Sequence, residues 1–328
     1  MKNSDSSLQN KVDPYCTVNK VQETIFISPI TEQEVALYIK LLNPQKSTRS
    51  DSSPTKFIKI SSKVITPVIT KIINKCIESA VFPVNLKIGE IIPIFKKGDK
   101  LQVTNHRPIT LLSPFSKIYE RHIHNQITNF INKHKILHPF QYGFRKNSST
   151  EQAITQITEE IANNMQDKFH TCSIFLDLAK AFDTIDHKIL LAKLHLYGIR
   201  GHAGQLLSSY LSQRTQRTKI NNVHSNYCNV TCGVPQGSIL GPLVFDLFIN
   251  DIPQASNFSV RLFAHDACLT LRDKDPKVLE IKANRKLQKI DDWVKINRLT
   301  INYAKSYCIL FNRQNITKTM KIKIRQIK

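Results

Sequence analysis

Residues 260–270 read VRLFAHDACLT, and this stretch decides how the chain folds. Alternating apolar residues lead into a polar pair, His265 and Asp266, and a second apolar run leaves it. Such a pattern predicts a β-hairpin whose tip presents polar side chains. About ninety residues earlier, the apolar run SIFLDL (173–178) predicts a strand that ends at Asp177. The chain therefore offers two strand-borne aspartates that one sheet can bring together.

Two aspartates on neighbouring strands are typical of a Mg²⁺ site for phosphoryl transfer. Magnesium prefers hard oxygen ligands, takes one or two protein carboxylates, and fills its other positions with water and phosphate oxygens. A strand-ending aspartate is as often a cap or turn residue, so the spacing alone leaves both interpretations open.

The composition favours a polyanionic partner. Lys and Arg number 47 against 25 Asp and Glu in 328 residues, which gives a net charge of +22. Such an excess favours nucleic acid over a membrane surface, and a basic protein without such a partner is the alternative. No uncharged apolar run reaches the roughly 18 residues of a membrane span, and residues 1–16 have no signal-peptide core. The seven cysteines lie mostly in apolar runs. We therefore expect an intracellular protein, nuclear or cytoplasmic, that is neither secreted nor membrane-spanning.

Helix signals are spread along the chain between the strands. They are the capping-box patterns Thr31 with Glu34 and Ser148 with Glu151, the caps Ser113-Pro114 and Asp275-Pro276, and Asp186 before a helix ending at Gly198. Strands and helices intermingle without a regular βαβ rhythm, which predicts an α+β fold. A zinc site is one interpretation of His224, Cys228 and Cys232, which are spaced four residues apart. The lack of a nearby fourth ligand disfavours it.

Six ordered motifs resemble the reverse transcriptase domain of non-LTR (LINE-type) retrotransposons over roughly residues 30–315. They are NHRPITLLSPFSKIYE (105–120), QYGFRKNSSTEQA (141–153), FLDLAKAFDTIDHKILLAKLHLYGIRG (175–201), GVPQGSILGP (233–242), LFAHDACL (262–269) and LTINYAKSYCILF (299–311). The resemblance implies a right-hand polymerase with fingers, an antiparallel palm sheet packed on helices, and a thumb largely missing. The expected division is a tail or linker remnant (1–27), an N-terminal extension with fingers (28–165), a palm (166–315) and a basic C-terminal segment (316–328).

The resemblance also implies a reaction and its participants. The family copies an RNA template onto a DNA primer from deoxynucleoside triphosphates with Mg²⁺, for which Mn²⁺ is a possible substitute. By position in the motifs, Asp177 and Asp266 match metal ligands, and Lys305 matches the lysine proposed to protonate the leaving pyrophosphate. The oligomeric state is not implied.

The nucleotide-binding residues are implied in the same way. Arg107, Lys117 and, more weakly, Arg145 match basic residues that face the triphosphate, where cations suit phosphate oxygens. Phe182 matches the aromatic beneath the sugar that excludes a 2′-hydroxyl. Gln236 and Gly237 match the turn that braces nucleotide and template, where a residue without Cβ allows close approach. A solvated basic surface and plain core packing are the alternatives for the cations and for Phe182.

The hairpin departs from the family pattern, which is aromatic-Ala-Asp-Asp where this chain has FAHD (263–266). Imidazole is a poor magnesium ligand, and a protonated imidazole would repel the cations. His265 therefore predicts impaired catalysis. Arg49 and Ser52 stand where the family has glycines. Asp246 interrupts an apolar helix, and a carboxyl buried there without a partner would titrate to its neutral form. These changes indicate a degenerate copy, so an inactive nucleic-acid-binding remnant and an unstable product without function are the alternatives.

Overall fold

The computed structural model describes residues 15–45, 49, 53–256 and 258–312. Its helices there are α1 (Glu32–Leu41), α2 (Thr55–Ile60), α3 (Ser62–Glu78), α4 (Pro114–Lys133), α5 (Thr150–Gln166), α6 (His187–Leu196), α7 (Gly201–Leu211), α8 (Leu240–Ile249), α9 (Ile252–Ala255) and α10 (Pro276–Ile296). Its strands there are β1 (Ile88–Phe95), β2 (His106–Leu111), β3 (His170–Asp177), β4 (Arg214–Ile220), β5 (Val223–His224), β6 (Cys228–Val230), β7 (Ser259–Phe263), β8 (Asp266–Asp273) and β9 (Tyr307–Phe311).

The strands form two sheets with different roles. One is antiparallel throughout, in the order β7-β8-β3-β9, and β3 at its centre is buried along most of its length. The other is mixed and has the order β2-β1-β4, in which β1 and β4 are parallel. The short strands β5 and β6 both pair with β4 on the side away from β1. Helices pack against these sheets around one apolar core. The α+β prediction and the expected antiparallel palm sheet are confirmed.

The caps follow the sequence signals with one change of register. The predicted boxes and caps at Thr31, Ser113, Asp186 and Asp275 all form. The box predicted at Ser148 is wrong, because α5 begins one residue later. Ser149 caps this helix and exchanges hydrogen bonds with Gln152. The sequence carries two such patterns in adjacent registers, and only the start of the helix selects between them.

The segment 15–27, predicted from the sequence to belong to a tail or linker, packs against the end of α6. Its Val21 N–H donates to the Leu196 carbonyl at 2.9 Å, and its Ile25 N–H donates to the Gly198 carbonyl at 3.0 Å. Gly198 has φ +86°, and a Cβ there would lie 2.3 Å from the Glu23 oxygen. Only glycine therefore allows this close approach.

A buried ion pair ties α6 to the helices that follow it. Lys193 Nζ lies 2.6 Å from Asp251 Oδ1, and both side chains are almost wholly inaccessible to solvent. Asp251 Oδ2 also accepts hydrogen bonds from Thr17 Oγ1 at 2.7 Å and from Trp293 Nε1 at 3.0 Å. Burial lowers the pKa of Lys193, and Asp251 opposes that effect. The carboxylate thus gathers donors from three distant parts of the chain.

Asp246 lies in the middle of α8 with 1% of its surface exposed. Its Oδ1 has no hydrogen-bond partner within the described residues. Burial raises the pKa of Asp246 well above its usual range, and the charge of Arg145 only partly offsets this. The carboxyl therefore stays protonated where an exposed aspartate would ionise, as its place in an apolar helix predicts.

Replacing Asp246 by Asn is expected to stabilise the chain increasingly as pH rises. Below the unfolded-state pKa the carboxyl is protonated in both states and costs nothing extra. As pH rises towards the raised folded-state pKa, only the unfolded chain ionises, so the wild type loses stability that Asp246→Asn retains. We expect a gain of about 1–3 kcal/mol at pH 8. Urea unfolding between pH 4 and 8 measures it, with the exposed Asp292→Asn as control, and parallel curves for wild type and Asp246→Asn would contradict it.

Candidate active site

The register of β3 and β8 brings the two aspartates side by side. Asp177 is the last residue of β3 and pairs directly with Asp266, the first residue of β8. Asp266 also pairs with Phe263 across the hairpin, so the turn itself consists of Ala264 and His265. The hairpin is where the sequence predicts it, but only His265 of the polar pair occupies the tip.

Asp177, His265 and Asp266 form a compact group. Their ligand atoms lie within 4.8 Å of one another, and this is the one such group of His, Cys, Asp and Glu found in the described part of the chain. His265 Nε2 lies 3.7 Å from Asp177 Oδ1. Asp177 is 8% exposed, whereas the other two face solvent. The imidazole therefore stands beside the inner carboxylate on its open side.

Donors from the loop before β9 face the other oxygen of Asp177. Asn302 Nδ2 donates to Oδ2 at 2.7 Å, and Lys305 Nζ lies 3.4 Å from the same atom. The Asn302 backbone N–H also donates to the Asp177 carbonyl at 2.8 Å. Lys305 is thus placed at the site, as its motif implies. Asn302 was not singled out from the sequence, although it lies in the same motif.

A cavity of about 500 Å³ opens at this group. Asp177, His265, Asp266 and Lys305 line it together with apolar residues of α5 and with Tyr307. A volume in this range suits a small-molecule ligand. The aspartates are therefore accessible to a substrate.

Lys96, which follows β1, interacts electrostatically with residues of this site and with Arg107 of β2. Lys305 and Arg107 lower the pKa of the exposed Lys96, and Asp177 opposes that effect. Lys96 is therefore coupled electrostatically to Asp177 and Lys305, and separately to Arg107, which is predicted to face the triphosphate. Lys96 has no sequence signal beyond the basic run KKGDK (96–100).

The other two predicted triphosphate residues lie elsewhere. Lys117, on α4, lines a separate cavity of about 280 Å³ with Arg121 and Gly237. Arg145 Nη1 donates to the carbonyls of His138 and Gln141, both at 3.2 Å. Neither residue lines the aspartate cavity, and their contact with nucleotide stays a prediction.

Phe182 packs in an aromatic cluster, and the residue after it, Asp183, holds the turn at Gln236. The Phe182 ring stacks on Phe245, with 4.5 Å between centroids, and meets the edge of Phe144. Gln236 Nε2 donates to Asp183 Oδ1 at 2.9 Å. This hydrogen bond fixes the Gln236 turn beside Phe182.

Gly237 is held against the first strands of the chain. The Thr110 N–H donates to the Gln236 carbonyl at 2.7 Å. Gly237 has φ +128°, and a Cβ there would lie 2.5 Å from the Thr110 oxygen. The turn therefore requires glycine at this position, for a reason internal to the fold.

The remaining sequence hypotheses have mixed outcomes. His224 Nε2 lies 3.2 Å from Glu90 Oε2, and His224, Cys228 and Cys232 form no metal-binding group among the described residues. Arg49, in place of a family glycine, is buried and donates to the carbonyls of Asn85 and Ile88. Ser52 and the basic segment 316–328 lie outside the described residues. No helix within the described ranges is long and apolar enough to cross a membrane.

An antiparallel sheet with adjacent strand-end aspartates is the arrangement expected of the palm in a right-hand polymerase fold. The sequence model of one family, described as "Reverse transcriptase (RNA-dependent DNA polymerase)", matches residues 94–323. The chain belongs to this reverse transcriptase family.

Curated relatives agree with this assignment. The chain is 32% identical over 239 residues to a "Probable RNA-directed DNA polymerase from transposon BS" of Drosophila melanogaster, covering 71% of the chain and 26% of the relative. It is 26% identical over 317 residues to the "RNA-directed DNA polymerase from mobile element jockey" of the same species, covering 93% of the chain and 34% of the relative. The chain thus spans about a quarter to a third of these relatives, and the resemblance to non-LTR retrotransposon polymerases is confirmed.

Proposed function

We propose that this chain binds a DNA primer on an RNA template and the incoming deoxynucleoside triphosphate, and that His265 strongly impairs DNA synthesis. The observation that carries the proposal is the 3.7 Å separation of His265 Nε2 from Asp177 Oδ1. The imidazole occupies the place beside Asp177 where the family pattern has a carboxylate. The binding surfaces are retained and the catalytic group is altered.

The donor set fits a hard cation only in part. The Asp177 and Asp266 carboxylates suit Mg²⁺, whereas imidazole suits softer metals and tolerates Mn²⁺ better. A divalent ion bound between these carboxylates would neutralise phosphate charge during phosphoryl transfer. Asp177 Oδ2 already accepts from Asn302 and faces Lys305, so the chain itself offsets much of this carboxylate's charge.

The neighbouring side chains support the proposed binding roles. Lys96 and Arg107 would provide cations for phosphate oxygens, since Lys96 interacts electrostatically with Arg107, Lys305 and Asp177. Lys305 Nζ can donate a proton or a hydrogen bond to a phosphate that enters beside Asp177. Phe182 would lie beneath the sugar, with its ring fixed by Phe144 and Phe245. Gln236 and Gly237 would brace the template and nucleotide, since their turn is anchored on both sides.

The second candidate is a nucleic-acid-binding remnant with no synthesis at all. His265 favours it because the site has lost one carboxylate, and the buried carboxyl of Asp246 is a further departure from the family pattern. A degenerate copy of a retrotransposon domain fits either candidate. Binding is common to both, so binding is tested first.

Primer–template affinity is expected to fall by about a thousandfold between 50 and 200 mM salt, through release of condensed counterions. The double variant Lys96→Gln, Arg107→Gln should bind more weakly and with a log–log salt slope smaller by about one to two. Fluorescence anisotropy with a labelled primer–template measures both quantities. The exposed pair Lys63→Gln, Lys71→Gln on α3 removes the same charge as a control. No binding at low salt, or equal slopes for all variants, would end the proposal.

A further inference from the structure

Another cavity, of about 270 Å³, lies between the mixed sheet and the Gln236 turn. We call it the Lys87 cavity, after the residue that precedes β1. Its walls come from β1, β2, β4 and β6 and from the loop at residues 231–236. Asp177 does not line it, so it is separate from the aspartate cavity.

Lys87 is a buried cation without a counter-charge. The residue is 3% exposed, and its side chain lines the cavity. Its ammonium makes no hydrogen bond or ion pair with any described residue, whereas its backbone N–H donates to the Val84 carbonyl at 2.9 Å. Burial lowers the pKa of Lys87, and the charge of Arg214 lowers it further. Burial disfavours the charged form of this ammonium, and an anion in the cavity would offset that penalty.

Arg214 supplies a second buried cation to the same cavity. It is 2% exposed, its guanidinium lies over the Tyr210 ring, and its Nη1 donates to the Tyr210 carbonyl at 3.1 Å. The nearby buried carboxyl of Glu120 interacts electrostatically with Arg214, but its oxygens accept from Ser116 and from two backbone N–H groups at the start of α8. The guanidinium therefore retains donors for a ligand.

The rest of the lining does not cancel this charge. Asp183 is the one carboxyl among the lining residues, burial raises its pKa, and its Oδ1 accepts from Gln236. The other polar lining groups are the thiol of Cys232 and neutral hydroxyls and amides, which are Thr110, Thr215, Gln216, Asn229, Thr231 and Gln236. The cavity thus combines two cations with neutral hydrogen-bonding groups, which is the chemistry of an oxyanion site.

We propose that the Lys87 cavity binds a phosphate group through Lys87 and Arg214. The cavity is smaller than the roughly 300–1,000 Å³ typical of drug-sized ligands, so it suits a phosphate or pyrophosphate group. Its wall includes Gln236 and Thr110, which fix the turn proposed to brace the template. On the proposed function, the phosphate belongs to the backbone of a bound strand. Free phosphate or pyrophosphate is the other source of the same chemistry.

The first test measures thermal unfolding with increasing sodium phosphate or pyrophosphate against sodium chloride at equal ionic strength. The wild type should be stabilised by the phosphates, and Lys87→Met should bind them about tenfold more weakly or not at all. Without phosphate, Lys87→Met should unfold at a higher temperature than wild type, because the unpaired buried charge is gone. Lys87→Gln keeps a polar group and should also lose the phosphate response. The exposed Lys63→Met serves as the control.

A second arm identifies the source of the phosphate. If a strand supplies it, Lys87→Met should reduce the salt slope of primer–template binding by about one. A lost pyrophosphate response with an unchanged slope assigns the site to the free anion. Equal phosphate stabilisation of wild type and Lys87→Met, or no response of the wild type in either arm, overturns the site. The phosphate titration needs no nucleic acid, so its result is independent of the proposed function.

Discussion

The substitution His265→Asp is expected to raise the rate of Mg²⁺-dependent primer extension by about a thousandfold or more. A carboxylate at this position would stand beside Asp177 in place of an imidazole that now lies 3.7 Å from it. Metal stabilisation of a phosphoryl-transfer transition state is worth several kcal/mol, and each ~1.4 kcal/mol is tenfold in rate. Single-turnover extension of a labelled primer on an RNA template measures the effect.

Matched variants separate the site from general changes in charge. His195→Asp makes the same substitution at an exposed position of α6 and should change nothing. Asp177→Ala added to the revertant should abolish its activity, since the two carboxylates act on the same ions. Mn²⁺ should restore part of the activity of the unmodified chain. Fast Mg²⁺-dependent synthesis by the unmodified chain would remove His265 from the metal site. An inactive but folded revertant would shift the defect to Arg49 or Asp246.

Removing Lys193 is expected to cost about 3–5 kcal/mol of folding stability. Lys193→Met leaves the Asp251 carboxylate buried, with Thr17 and Trp293 still donating but with no counter-charge. Urea unfolding at pH 7 measures the loss. The double variant Lys193→Met, Asp251→Asn should recover part of it, because a neutral amide replaces the isolated charge.

A surface ion pair provides the comparison for this loss. Lys75 lies 2.9 Å from Glu78 with both side chains more than two-thirds exposed. Lys75→Met should cost about 0.5 kcal/mol or less, because solvent screens such a pair. Similar losses at Lys75 and Lys193 would show that the buried junction does not hold the fold together.

The local sequence patterns predicted the helices and strands well, but they predicted poorly which residues meet in the folded chain. The alternation in 260–270 fixed the hairpin, and the apolar run before Asp177 fixed its partner strand, so the aspartate pair followed. Lys193 carries no such signal, because a lysine within HKILLAKLHL resembles any exposed helical lysine. Its burial depends on Asp251, which comes 58 residues later in the chain. Lys96 and Asn302 could not be predicted for the same reason. The residues that meet Asp177 depend on how the strands pair in the folded chain.

The hydrogen bonds of Asp251 cannot all form until the chain has been synthesised as far as Trp293. Its donors lie 234 residues before it, 58 residues before it and 42 residues after it. A nascent chain that has just released Asp251 from the ribosome therefore lacks Trp293, and the carboxylate must remain hydrated until α10 has emerged. A single carboxylate thus makes the packing of α6 depend on a helix that is synthesised almost a hundred residues later.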